Sequence, residues 1–238
     1  RRHYYAAITF IDDQIGRVIQ ALKEEGLYDN SVILFVSDHG DMLGDHYHWR
    51  KTYAYEGSSH VPFMLRLPKD MKLAVKPGSH LPQVVEIRDI LPTFVDAAGG
   101  QVPQEVDGAS LLPLLQEKNP EWREYIDLEH ATCYSPDNYW CGLTDGKMKY
   151  IWFFRSGEEQ LFDLQKDPYE KVNLAGEKKQ AKVLAMWRER MVQHLSERGE
   201  EYVKDGQLRK LTKTRLYSPN YPKGPAEKLS YWMKESKF

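Results

Sequence analysis

The stretch from Val32 to Lys51, VILFVSDHGDMLGDHYHWRK, constrains this chain more than any other. Val32, Ile33, Leu34, Phe35 and Val36 form an unbroken apolar run. A β-branched run without alternation predicts a strand buried on both faces of a parallel sheet. The run stops at Ser37-Asp38-His39-Gly40, and open α/β sheets bind their ligands just past the carboxyl ends of strands. A carboxylate beside an imidazole at that place offers one oxygen and one nitrogen donor to a single cation. Gly40 and Gly44 let the following loop fold close to such a site, and Lys51 adds a positive charge on a flexible stem.

The strand is preceded by a predicted helix. Tyr4, Ile8, Ile11, Ile15, Val18, Ile19 and Leu22 recur at three- and four-residue spacing and make one apolar stripe over residues 4–25. Gly26 supplies the stop. Asp12 and Asp13 fall off the stripe and read as a solvated face rather than as paired catalytic carboxylates. The loop from Gly40 to Glu56 is long, polar and aromatic, a length uncommon without a function. A second strand follows at Val61–Leu67, then a helix from Asp89, with Asp89 as N-cap and Pro92 in the first turn.

Beyond about residue 120 the pattern changes. Strands are expected at 125–130, 139–144, 147–154 and 160–163, with Asp145-Gly146 as a two-residue hairpin turn, and a helix at 178–195. The division is therefore 1–120 as an α/β region, 121–200 as a small antiparallel sheet with one packed helix, and 201–238 as an irregular tail. Tyr217, Tyr221, Tyr231 and Trp232 make that tail apolar enough to wrap the body.

A net charge of −2, from 33 basic and 35 acidic residues, gives no reason to expect a nucleic-acid or anionic-membrane partner. No apolar stretch approaches the roughly 20 residues of a membrane span. The two cysteines, Cys133 and Cys141, lack metal-ligand spacing and read as ordinary thiols, a disulfide remaining the alternative in an exported protein. The chain opens on Arg1-Arg2-His3 without methionine and reads as the later part of a longer protein.

Ser37-Asp38-His39-Gly40, Leu43-Gly44-Asp45-His46, Lys51, Tyr55-Glu56-Gly57-Ser58 and Val61-Pro62 together resemble the C-terminal metal segment of type I sulfatases, enzymes of the alkaline phosphatase superfamily. Leu161-Phe162-Asp163-Leu164, Asp167-Pro168, Glu170 and Asn173-Leu174 resemble the same family's C-terminal subdomain. The resemblance implies the C-terminal part of an alkaline-phosphatase-like α/β sheet flanked by helices, followed by the antiparallel subdomain. It implies hydrolysis of sulfate esters, with Asp38 and His39 as metal ligands, calcium as the metal and magnesium as the alternative. It makes Lys51, thirteen positions after Asp38, the catalytic and sulfate-contacting lysine. His46 resembles iduronate-type sulfatases. With His48, Trp49, Tyr134, Tyr139 and Trp140 it is expected to line a pocket for a sulfated saccharide.

The family nucleophile is a formylglycine made in a C/S-x-P-x-R motif, which this sequence does not contain. The resemblance places it upstream, in an N-terminal part that also completes the metal shell, so this segment alone is expected to be inactive. It also implies export to a periplasmic, extracellular or lysosome-like compartment. Two alternatives stay open: a phosphonate monoester or phosphodiester hydrolase of the same superfamily, and a non-catalytic homologue acting as a binding protein.

Overall fold

The structure, a computed structural model, describes residues 1–117, 120–131, 133 and 135–213. It divides into two compact units. The first comprises Arg1–Trp49 and His60–Arg123, and the second Arg50–Ser59 and the chain from Glu124 onward. The sequence division does not capture the short segment that leaves the first unit to join the second.

The first unit opens with α1, Arg2–Glu24. It ends as its sequence predicts: Gly26 takes a left-handed φ of 69°, its N–H donates to the Lys23 carbonyl and that of Leu27 to the Leu22 carbonyl, the paired bonds that close a helix on glycine. The apolar stripe is present, yet no residue of α1 is buried. Asp12 and Asp13 are exposed. Strand β1, Ile33–Val36, departs from expectation. It pairs antiparallel with β2, Phe63–Arg66, in a two-stranded sheet, and each of its residues is half-buried. A parallel neighbour for β1 is not among the described residues.

Helix α2 is a single turn, Glu56–Ser59, in the segment that joins the second unit; in the first unit α3, Ile90–Ala97, follows a short 3-10 turn, and α4 spans Leu112–Gln116. Asp89 sits at the N-cap position of α3, but its side chain does not cap that helix. The carboxylate accepts N–H groups of Glu86 and Ala109, each at 2.9 Å, and meets Arg123. It ties the 3-10 turn and the segment Asp107–Ser110 together instead.

In the second unit, β3 (Ile126–His130), β4 (Trp140–Thr144), β5 (Met148–Phe153) and β6 (Glu159–Asp163) form an antiparallel meander in sequence order. Side chains alternate across it. Cys141, Leu143, Tyr150, Trp152 and Leu161 pack with Trp187, Met191 and Leu195 of helix α5, Ala181–Ser196. On the other face Trp140, Ile151 and Phe162 pack with Ala54 of the transferred segment. Two covered faces explain why all five residues of β4 are buried. The β4–β5 turn pivots one residue later than expected, at Gly146-Lys147. The Asp145 N–H donates to the Met148 carbonyl, while the Asp145 carboxylate accepts the N–H groups of Lys147 and Met148 at 2.9 and 2.7 Å.

Residues 201–213 are not irregular. Strands β7, Val203–Lys204, and β8, Gln207–Leu208, make a small hairpin, and Tyr202 and Leu211 are buried in the α5 core. The tail aromatics Tyr217, Tyr221, Tyr231 and Trp232, and also Tyr134, lie outside the described residues. Both cysteines are free thiols, Cys133 exposed and Cys141 buried.

Candidate functional site

Asp38 and His39 follow β1 directly and are brought together. The Asp38 carboxylate is 82% exposed and accepts the His39 backbone N–H at 3.0 Å, while its second oxygen, Oδ2, stands 3.4 Å from Nε2 of His39. On the other side of the ring, Nδ1 is 2.7 Å from the carbonyl oxygen of Gly40. A carbonyl only accepts, so Nδ1 carries a proton, and Nε2 is the ring nitrogen on the side of the carboxylate. Fixing the tautomer through the remote nitrogen is how metal-binding histidines are commonly oriented. Ser37 Oγ donates to the His39 carbonyl at 2.7 Å and steadies the turn. A carboxylate oxygen and an imidazole nitrogen 3.4 Å apart are the donor types that suit a divalent cation.

The loop that follows is built on unusual backbone. Leu43, His46 and Tyr47 have φ of 50°, 51° and 62°, and Gly44 has 95°. Left-handed backbone at residues other than glycine is uncommon and collects at functional sites. The loop is held by the Gly44 N–H to His48 carbonyl bond at 2.8 Å, the Asp45 N–H to Met42 carbonyl bond at 2.8 Å and the His48 N–H to Asp45 carbonyl bond at 2.9 Å. Met42 is buried beneath it. Trp49 lies over Gly44, where an added Cβ would meet its ring at 3.5 Å. Tyr47 and Trp49 are exposed. Burial pushes the His48 pKa down, and the nearby His46 adds to the effect. His48 is therefore a neutral hydrogen-bonding group near pH 7 rather than a cation.

Lys51 belongs to the second unit. It is exposed, and its neighbours Arg50 and Thr52 have φ of 66° and 92°. Of the residues expected at the site, Asp38, His39, His46 and His48 thus share one unit and Lys51 lies in the other.

Sequence reasoning missed the groups that seat the Lys51 segment. Lys149, in β5, is fully buried and stands 2.7 Å from Oε1 of Glu56 and 2.8 Å from Oε1 of Glu170. It joins the two family signatures, Tyr55–Ser58 and Leu161–Leu174. The visible signal was a charged residue in an otherwise apolar strand, MKYIWF. Glu170 is pushed up by burial in spite of Lys149. A different cluster, Glu129, Cys141 and His194, places three donor atoms within 4.8 Å. Glu129 is already bound by both Arg198 nitrogens, and burial and Asp127 hold the Cys141 thiol well up, so these groups are structural.

The sequence model of the N-sulphoglucosamine sulphohydrolase C-terminal family matches residues 44–197, and that of a family of unknown function (DUF229) matches residues 1–85. An arylsulfatase of Clostridium perfringens is 42% identical over 207 residues, which cover 87% of this chain and 42% of the relative. A solved structure described in complex with its substrate D-glucosamine-2-N,6-O-disulfate superposes with a TM-score of 0.68 at 28% identity, covering 79% of this chain and 39% of the other. The phosphonate monoester hydrolase of Agrobacterium radiobacter gives a TM-score of 0.68 at 31% identity, covering 82% of this chain and 40% of the other. The chain spans about two-fifths of the length of these relatives.

Proposed function

Because the chain belongs to the N-sulphoglucosamine sulphohydrolase C-terminal family, and so represents the C-terminal part of a sulfatase of the alkaline phosphatase superfamily, we propose that it serves in hydrolysis of a sulfate ester. The observation that carries the reading is the Asp38–His39 pair, with Nδ1 tied to the Gly40 carbonyl and Nε2 facing the carboxylate. Asp38 and His39 would hold a divalent cation, calcium in our reading, with magnesium the alternative. Such a cation supplies Lewis-acid polarisation of a sulfate oxygen.

The chain's own residues then have separate tasks. Asp38 would place negative charge against such a cation. His39 keeps its ring oriented through Gly40. Lys51 brings a compact ammonium charge to a sulfonate oxygen and stabilises the charge that develops during cleavage. His46 and His48 serve as polar contacts to the rest of the substrate. The formylglycine nucleophile of the family belongs to sequence other than this one.

For the substrate we favour a sulfated saccharide. The exposed Tyr47 and Trp49 offer flat apolar faces beside His46 and His48, and a structural relative is described with a sulfated glucosamine. Likeness to the phosphonate monoester hydrolase supports a second reading, cleavage of phosphonate or phosphate esters.

Both readings are tested on the full-length protein. Asp38→Ala is expected to lose bound metal and turnover while keeping the fold, and full metal occupancy in that variant would overturn the ligand assignment. Sulfated mono- and disaccharides should be turned over faster than aryl sulfates, choline sulfate and phosphonate monoesters. Preference for the phosphonate would establish the second reading.

A further inference from the structure

Lys51 precedes Thr52, whose φ is 92°. Threonine is β-branched, and such a residue keeps a positive φ only where its surroundings over-determine it. Thr52 is held twice. Asn138 Nδ2 donates to its hydroxyl at 3.0 Å, and Trp140 Nε1 donates to its carbonyl at 3.1 Å. The same indole N–H reaches Oδ1 of Asn138 at 3.0 Å, so amide and indole orient each other. Trp140 is buried at the start of β4, with the His130 ring stacked on it at 5.9 Å.

The bonds continue along the segment. Lys149 Nζ donates to the Ala54 carbonyl at 2.7 Å, and Tyr55 Oη donates to Gln160 at 3.1 Å. The Glu56 N–H donates to Oε2 of Glu170 at 2.6 Å, and Lys149 stands 2.7 Å from the Glu56 carboxylate. Thr52, Ala54, Tyr55 and Glu56 are each fixed to the four-stranded sheet, and all of these groups belong to the second unit. Apolar side chains of similar volume would pack there as well, because the desolvation of buried charges can exceed the attraction between them.

We propose that Asn138, Trp140 and Lys149 are positioning residues, which clamp the Thr52–Glu56 backbone and so fix the base of the Lys51 side chain for its work on the sulfate group. The inference rests on the role given to Lys51 above. A long ammonium side chain is flexible, and a strained, pinned base confines where its charge can go. Confinement of that kind raises turnover rather than affinity.

The test uses the full-length protein with Trp140→Phe, Lys149→Met and Lys51→Ala, singly and combined. Trp140→Phe keeps an aromatic ring while removing the N–H donor together with the second ring of the indole. It is expected to speed hydrogen exchange of amides in residues 52–56 and to lower kcat about 10–100-fold, with KM changed by less than about twofold. Lys149→Met should do the same, and should it fail to fold, Trp140→Phe carries the test because the buried charges stay in place. In a Lys51→Ala background the Trp140→Phe penalty on kcat should vanish, since the clamp acts through Lys51. An equal penalty in both backgrounds overturns the positioning role, as does unchanged exchange at 52–56. If Lys51→Ala leaves kcat unaltered, the role of Lys51 fails and the positioning role falls with it. The exchange measurement then still reports whether the clamp exists, which separates the two failures.

Discussion

Arg123 closes over Asp89, its Nη2 2.6 Å from Oδ1 of a carboxylate with no exposed surface. Nη1 of the same guanidinium reaches Glu86 at 2.6 Å. Arg123→Met would leave the buried Asp89 charge with its two backbone N–H donors but without its counter-ion. Breaking one partner of such a pair costs about 3–5 kcal/mol. A urea-unfolding series should show that loss, and a change below about 1 kcal/mol would put the pair in the class of surface ion pairs.

Gly108 packs against backbone. A Cβ there would lie 1.9 Å from the Arg88 carbonyl oxygen and 2.8 Å from the Asp89 nitrogen. Neither can rotate away, so Gly108→Ala should destabilise by about 1–3 kcal/mol or more. Gly16→Ala is the matched control. Gly16 sits inside α1 with nothing within 4 Å of an added Cβ, and alanine there should gain about 0.5–1 kcal/mol. Thermal melts of the two variants should move in opposite directions.

Two histidines make the fold acid-sensitive. Burial lowers His130 in spite of its bond to the Asn138 carbonyl, and burial and His46 lower His48, both from 6.5. A lowered folded-state value means the unfolded chain binds the proton more readily. The stability these groups hold is present above pH 6.5 and drains as pH falls from there through the folded-state values. Imidazole titration by NMR should give both midpoints below 6.5. His130→Asn should flatten the stability slope in that window, and a midpoint above the ordinary value would refute the burial argument.

Lys51→Ala in the full-length protein should lower kcat by about 10²–10³, the usual loss on removing one charge-stabilising group, with a smaller rise in KM. Lys51→Arg should rescue only in part, because the planar guanidinium is bulkier and aimed differently. A variant that loses thermal stability but turns over normally would make Lys51 a structural pin.

Much of this architecture could be read from the residues. The stripe of α1, the glycine stop at Gly26, the four strands of the meander and α5 follow from local periodicity and turn chemistry, which neighbours in sequence decide. The antiparallel pairing of β1 with β2 could not be read, because an apolar run says how buried a strand is and not which strand lies beside it. The transfer of Arg50–Ser59 to the second unit was equally hidden. It depends on bonds from Asn138, Trp140 and Lys149 to Thr52 and Ala54, across more than eighty residues of chain. That Asp38 and His39 would stand together just past β1 was legible, whereas the contact of His39 Nδ1 with the Gly40 carbonyl was not. Gly108 looked like one more loop glycine until Arg88 was seen against it.

The left-handed residues Leu43, His46, Tyr47, Arg50 and Thr52 have a bearing on protein engineering. Each holds about 1–3 kcal/mol of backbone strain, so a stabilisation campaign that scores residues by backbone compatibility would rewrite these positions first, mostly to glycine or asparagine. The melting temperature would rise. His46 and Tyr47 would be gone, and Thr52 would lose the hydroxyl that Asn138 holds. The gain would register in every thermal screen, while any deficit in the proposed function would surface only in an assay of turnover.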